Sequence, residues 1–188
     1  KKNVIVIMTD DQGYGDLSCM GATDFKTPNL DRLANEGTRF KCWYSNSPVC
    51  SPSRAALLTG RYPANAGVRA ILDGHRKATG LPKETLTLPK ILRDRLGYHT
   101  AMSGKWHLGL DSPNTPNERG FDFFHGWLGD MMDDYWEHLR HGINYMRINE
   151  KIINQAKKIV IEFNKMDDVL NDKKEVLKGQ YIFKNFKS

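Results

Sequence analysis

Little in this sequence points to a disulfide scaffold, a membrane span or a nucleic-acid binder. It has only three cysteines in 188 residues, Cys19, Cys42 and Cys50. That is too few for a disulfide framework, and their spacing does not resemble a zinc site. Long apolar runs are missing too. The longest, Val4 to Met8, has strand length and falls far short of the roughly 18 residues that cross a bilayer. It follows Lys1-Lys2-Asn3 directly, is too short for the apolar region of a secretory signal, and has no small-residue cleavage site after it. The net charge of +6 comes from 28 Lys and Arg against 22 Asp and Glu, spread without an obvious patch. No basic stripe interleaved with aromatics appears, so nucleic acid is not an expected partner. No repeat period is visible. What is present, 39% hydrophobic and 27% charged residues, is ordinary for a globular chain long enough to bury one sizeable core.

The pattern along the chain alternates strands with helices. Val4 to Met8 is continuous and apolar, which predicts a strand buried on both faces. Thr27-Pro28 predicts a helix start, with Thr27 as N-cap and Pro28 in the first turn, and Gly37 predicts its end. Arg39 to Ser45 reads as a second strand. Ser51-Pro52 again reads as an N-cap and first-turn proline, so 53–59 should be helical and Gly60 should stop it. Residues 61–84 are loop-rich. Leu88, Ile91, Leu92 and Leu96 have helical spacing ahead of Gly97, and Tyr98 to Ser103 reads as a strand. The expected fold is α/β, a mostly parallel sheet flanked by helices. Composition changes near residue 148: every Trp and Pro precedes it, and Gly179 is the only later glycine. There Ile152, Ala156, Ile159, Phe163, Met166 and Leu170 are spaced as one amphipathic helix.

Three constellations carry chemistry. Asp10-Asp11 follows the first strand, where open α/β sheets bind ligands. Adjacent carboxylates repel and call for a cation, and oxygen ligands suit calcium or magnesium. The pair reads equally well as a turn in which one Asp accepts backbone amides. Second, Cys50-Ser51-Pro52-Ser53-Arg54 precedes a helix and Thr59-Gly60-Arg61. A residue at a helix N-terminus meets free amides and the positive end of the dipole, which favour an anion. Arg54, about a turn along, can neutralise anionic oxygens. Third, Gly104-Lys105-Trp106-His107-Leu108-Gly109 closes a strand. Residues two apart on a strand point the same way, so Lys105 and His107 can reach one site.

The Cys-x-Pro-x-Arg run with Thr-Gly-Arg, and the Gly-Lys-Trp-His-Leu-Gly run, resemble the two signatures of the type I sulfatases, within the alkaline-phosphatase-like superfamily. Asp10 to Leu17, Thr27 to Ala34 and Arg119-Gly120-Phe121-Asp122 resemble other segments of that family. The resemblance covers residues 3 to about 154. It implies sulfuric ester hydrolysis, acting on a sulfated carbohydrate or an aryl sulfate. It implies that Cys50 is oxidised to Cα-formylglycine by a formylglycine-generating or anaerobic maturase. One hydroxyl of the hydrated aldehyde would attack sulfur, and the covalent sulfate would then be eliminated. It implies Cys50, Arg54, Lys105 and His107 as the catalytic group, with Lys105 on a sulfate oxygen and His107 on the formylglycine hydroxyl. It implies Asp10, Asp11 and position 50 as ligands of calcium, or magnesium. It also suggests a periplasmic, secreted or lysosomal location.

The family runs to several hundred residues. Its later half adds an Asp with an Asn or Gln to the metal, and a further His and Lys to the sulfate. Residues 148–188 offer no counterpart. The chain is therefore expected to hold the N-terminal part of a catalytic domain over 1–147, an incomplete fold and site, and a divergent Lys, Asn and Ile-rich tail over 148–188. Two other readings stand beside this one: a phosphonate or phosphodiester hydrolase of the same superfamily, and a non-catalytic remnant. His75 is a candidate for substrate contact, and Asp133-Asp134-Tyr135-Trp136 for a sugar site.

Overall fold

The computed structural model describes residues 2–74, 80–133 and 137–153, and the backbone of 181–184. The chain divides into two compact units, Thr9–Ser45 and the combination of Lys1–Met8 with Asn46–Ser188.

The larger unit is built on a sheet. Its strands are β1 (Val4–Val6), β2 (His99–Lys105), β3 (Phe123–Trp127), a short pair β4 (Leu139–Arg140) and β5 (Ile143–Asn144), then β6 (Met146–Ile148), β7 (Lys151–Ile152) and β8 (Tyr181–Lys184). Six of them form one sheet in the order β1-β8-β2-β3-β6-β7. β2 and β3 are parallel, with Ala101 opposite Phe123 and Lys105 opposite Trp127. β8 runs antiparallel to both β1 and β2, so β1, β2 and β3 share one direction. β6 and β7 add antiparallel strands beyond β3. The sheet is therefore mixed around a parallel centre. The tight turn at Asn149-Glu150 can join only antiparallel neighbours, and strands as short as β6 and β7 leave no periodicity to read.

Four helices accompany these strands among the described residues: α1 (Pro28–Glu36), α2 (Cys50–Thr59), α3 (Pro63–Ala66) and α4 (Leu88–Leu96). α4 packs on β2, and α2 packs against α3 and α4. α4 begins and ends as its sequence predicts. Pro89 sits in its first turn, where its missing N–H costs nothing. Gly97 takes the left-handed conformation at φ 63° that closes the helix, its N–H donating to the Arg93 carbonyl at 3.1 Å.

Burial explains why the central strands hold. Met102 and Phe124 are wholly buried, as is Trp106 just past β2, and Trp106 meets Phe121 edge-on at 6.3 Å. Each such side chain contributes about 1.5–3 kcal/mol. β1 differs from expectation. It is shorter than Val4 to Met8, and Val4 and Ile5 are 40% and 60% exposed. It lies at one edge of the sheet, and among the described strands it pairs with β8. Only Val6 and Met8, partly buried, pack on the core.

A second clamp lies beyond the strands. The buried Arg119 guanidinium donates to the carbonyls of Lys83 at 3.0 Å and Pro82 at 3.2 Å, and also to the Leu81 carbonyl and the Asn114 side chain. Trp106 Nε1 donates to the Asn114 carbonyl at 2.8 Å. One buried cation thus holds 81–83 against the turn after β2.

The smaller unit holds α1. Thr27 is its N-cap by position, but its hydroxyl does not cap. Instead Ser18, Thr27 and the Cys19 amide all donate to Asp31, at 2.6, 2.9 and 2.9 Å. These donors, Ser18 foremost, hold the Asp31 carboxyl down at about 2. The strand expected over Arg39 to Ser45 is absent. No strand of its own unit pairs with it among the described residues, and Phe40, Trp43 and Tyr44 are exposed. In the tail, the helix predicted from Ile152 is not present at that residue, which belongs to β7. Positions 156–170 lie outside the described residues.

One glycine limits how closely β2 and β3 can pair. A Cβ on Gly126 would collide with the Gly104 carbonyl on the neighbouring strand. Gly126→Ala should therefore force the parallel pair apart beside Lys105 and destabilise the unit by about 1–3 kcal/mol or more. Urea denaturation of the wild type and the variant measures it.

Candidate active site

The site is assembled from the start of α2, the turn after β2 and the irregular stretch before residue 75. Helix α2 begins earlier than its sequence suggests. Val49, extended at φ −127° and ψ 154°, occupies the cap position, and Cys50 is the first helical residue. Cys50 is thus inside the first turn, where backbone amides lack helical partners and the dipole is positive. Ser51 does not cap. Its hydroxyl, fully buried, instead accepts the Leu72 N–H at 3.1 Å. The Thr-Gly-Arg end of the motif has structural work. Thr59 donates to the Ala55 carbonyl at 2.7 Å, and Gly60 closes the helix at φ 65°. Arg61 lines an open groove with Asn46, Tyr62 and Asn65.

Two links bring the separate motifs together. Arg54, 1% exposed, donates from its guanidinium to the Lys105 carbonyl at 2.6 Å. His107 Nε2 lies 2.9 Å from the Leu72 carbonyl, on the same residue whose N–H Ser51 receives. Cys50, Arg54, Lys105 and His107 therefore belong to one connected assembly.

Lys105 and His107 do not achieve this by strand alternation. β2 ends at Lys105, and His107 sits beyond it in the left-handed region at φ 55°. For a residue other than glycine this costs on the order of 1–3 kcal/mol and persists only where the surroundings enforce it. Here His107 N–H donates to the Leu128 carbonyl at 3.1 Å, its ring is held by Leu72, and it is 2% exposed.

Burial pushes the His107 imidazole from its ordinary 6.5 down to about 4, and the nearby Lys105 ammonium adds to the depression. The ring is neutral near pH 7. A carbonyl oxygen only accepts, so Nε2 carries the proton and Nδ1 carries the lone pair. Nδ1 is buried and meets no hydrogen-bond partner among the described residues. The arrangement offers two cationic groups, helix amides and a neutral proton acceptor.

Asp10 and Asp11 lie in the Thr9–Ser45 unit, both exposed, with Asp11 in the left-handed region at φ 56°. Calcium takes about six to eight oxygens. Among the described residues, no group of three or more His, Cys, Asp or Glu converges as a metal cage would. The two carboxylates by themselves do not make up a calcium or magnesium site. Cys19, Cys42 and Cys50 are free thiols.

Sequence reasoning missed Ser51 and Leu72, since a serine beside a proline reads as a cap and a leucine in a loop carries no chemical signal. It also missed Asp130, which forms an ion pair with Arg140 at 3.2 Å and interacts electrostatically with His107. Arg140 also binds Asp133 at 2.6 Å. His75 and 134–136 lie outside the described residues.

An α/β unit that joins a helix N-terminus, a buried guanidinium, a half-buried lysine and a neutral imidazole has the chemistry of an anion-handling site. The sulfatase family model matches residues 2–180, and the chain belongs to the sulfatase family. It is 40% identical over 137 residues to human steryl-sulfatase, covering 67% of this chain and 23% of that protein. Among solved structures, Ps i-CgsB in complex with k-i-k-neocarrahexaose superposes with a TM-score of 0.77 at 32% identity, over 92% of this chain and 42% of that one. BT4656, solved with its substrate D-glucosamine-2-N,6-O-disulfate, gives 0.64 at 31% identity, over 91% and 31%. The chain thus spans less than half the length of these relatives. Among the described residues no helix is long and apolar enough to cross a membrane.

The depressed His107 makes a signed prediction. Above about pH 6.5 neither state binds its proton; between 6.5 and about 4 only the unfolded chain does. Stability should therefore fall as pH drops through that window and level off below it, by on the order of 3 kcal/mol from this group. His107→Gln should lack that component. Urea midpoints from pH 7.5 to 3.5 for both proteins test it.

Proposed function

We propose that this chain carries the nucleophile-bearing part of a sulfuric ester hydrolase site, with Cys50 as the precursor of Cα-formylglycine. The observation that supports it most is the joining of both signature segments through Arg54 and the Lys105 carbonyl, and through Leu72 and His107. A formylglycine hydroxyl at the first turn of α2 would be favoured as an anion by the helix N-terminus. Arg54 and Lys105 would offset negative charge on the sulfate oxygens, and the His107 Nδ1 lone pair would take a hydroxyl proton. The attack forms an oxygen–sulfur bond and breaks the bond from sulfur to the ester oxygen, which leaves as the alcohol with the proton given up by the attacking hydroxyl. Loss of the second hydroxyl's proton then expels sulfate and restores the aldehyde. A divalent cation, calcium or magnesium, would draw on Asp10, Asp11 and the residue at position 50. Among the described residues the two carboxylates alone supply too few oxygens for that ion.

The partners that follow are a formylglycine-generating or anaerobic maturase and a sulfated substrate. The substrate is a sulfated carbohydrate or an aryl sulfate, and the disulfated glucosamine bound by BT4656 supports the carbohydrate arm. The family reading carries the expectation of a periplasmic, secreted or lysosomal location.

The test is co-expression with a maturase, followed by mass spectrometry of the Cys50 peptide and turnover of aryl sulfate and aryl phosphonate esters. Conversion at Cys50 with preferred sulfate turnover is the expected result. Cys50→Ala should abolish it, and His107→Ala should lower kcat about 10²–10⁴-fold. Preferred phosphonate turnover would move the protein to that branch of the superfamily. An unmodified thiol, or conversion without turnover, would make it a non-catalytic remnant.

A further inference from the structure

We infer that Ser51 is a positioning residue that sets the tautomer of His107 through the backbone of Leu72. The relay runs through two successive peptide planes that meet at the Leu72 Cα. Ser51 Oγ accepts the Leu72 N–H at 3.1 Å, and the Leu72 carbonyl accepts the His107 Nε2–H at 2.9 Å. Ser51 is 0% exposed and His107 2%. Leu72 lies in irregular backbone after α3, with no ladder or helix to orient its peptide. Its N–H and its carbonyl are therefore fixed from outside, one end by each partner. A buried amide must find an acceptor, and the Ser51 hydroxyl supplies it. With the plane before the Leu72 Cα fixed by Ser51, the carbonyl of the plane after it faces His107.

The consequence is chemical. A neutral imidazole has one donor and one acceptor nitrogen, and which is which depends on the bond the ring makes. The Leu72 carbonyl accepts only, so Nε2 is the donor. The lone pair is left on Nδ1, which has no hydrogen-bond partner among the described residues. The residue next to the nucleophile position thus chooses which ring nitrogen is the base. Ser51 acts through Leu72 and touches no reacting atom. Its catalytic consequence rests on the sulfatase reading, but the tautomer itself does not.

The experiment is ¹⁵N NMR of histidine-labelled full chain near pH 7, with His107→Gln used to assign the His107 signals. Wild type should show a single Nε2–H form with a bare Nδ1. Ser51→Ala should show a mixed or reversed tautomer and faster exchange of the Leu72 amide hydrogen. Ser51→Thr, which restores a hydroxyl, should return both toward wild type. Should Ser51→Ala not fold, Ser51→Cys, with its weaker acceptor, gives the same readout. In matured protein that turns over, kcat should drop about 10- to 100-fold in Ser51→Ala with little change in KM. A wild-type ring protonated on Nδ1, or an unchanged tautomer in the Ser51 variants, overturns the relay. Absence of turnover with the relay intact would instead count against the sulfatase reading alone.

Discussion

The Arg54 guanidinium is taken almost completely out of water and donates to the Lys105 carbonyl at 2.6 Å. Burying such a charge costs several kcal/mol unless its surroundings compensate. The compensation here joins two segments 51 residues apart. The helix that begins with Cys50 and the strand that ends with Lys105 cannot shift independently without breaking this buried, charge-assisted bond. The tie holds the start of α2 beside the end of β2, where the turn that carries His107 begins.

That turn is held in a conformation few sequences adopt. Gly104 and Gly109 have φ of 119° and 131°, and His107 between them has 55°. Glycine accepts such values without strain, and histidine does not. The backbone is pinned from several sides: Trp106 N–H on the Trp127 carbonyl at 2.8 Å, His107 N–H on Leu128 at 3.1 Å, and Leu81 N–H on Leu108 at 3.1 Å. The Arg119 clamp sits behind these bonds and fixes 81–83. A second buried guanidinium thus supports the same turn from the opposite side in sequence. The cost is concentrated at His107, the residue whose ring is neutral and whose Nδ1 has no hydrogen-bond partner among the described residues.

The electrostatic character of the site is positive charge beside a neutral base. A lysine and an arginine near an imidazole would by themselves lower its affinity for a proton, and burial lowers it further. Asp130 acts in the other direction, drawn toward Arg140 and interacting electrostatically with His107 from the far side. The balance leaves a proton acceptor at neutral pH within a field that attracts anions. Sulfate esters and phosphonate esters both suit such a field, so charge alone does not choose between them.

The sequence by itself determined the family, the positions of Cys50, Arg54, Lys105 and His107, and the helices bounded by proline and glycine. The reason is local. A proline in a first turn, a left-handed glycine and a spaced motif each impose their consequence on neighbouring residues, as Pro89 and Gly97 do for α4. Tertiary structure decided what depended on distant partners. It made the sheet mixed, since antiparallel neighbours such as β6 and β7 are too short to announce themselves. It left Val4 and Ile5 exposed where an apolar run suggested burial. It started α2 at Cys50 and turned Ser51 from an expected cap into an acceptor for Leu72, 21 residues away. It took Lys105 and His107 off a common strand face and joined them through a strained turn. No pattern in a linear sequence records which buried carbonyl will accept from which distant side chain, because that choice is made only when packing removes the water that would otherwise serve.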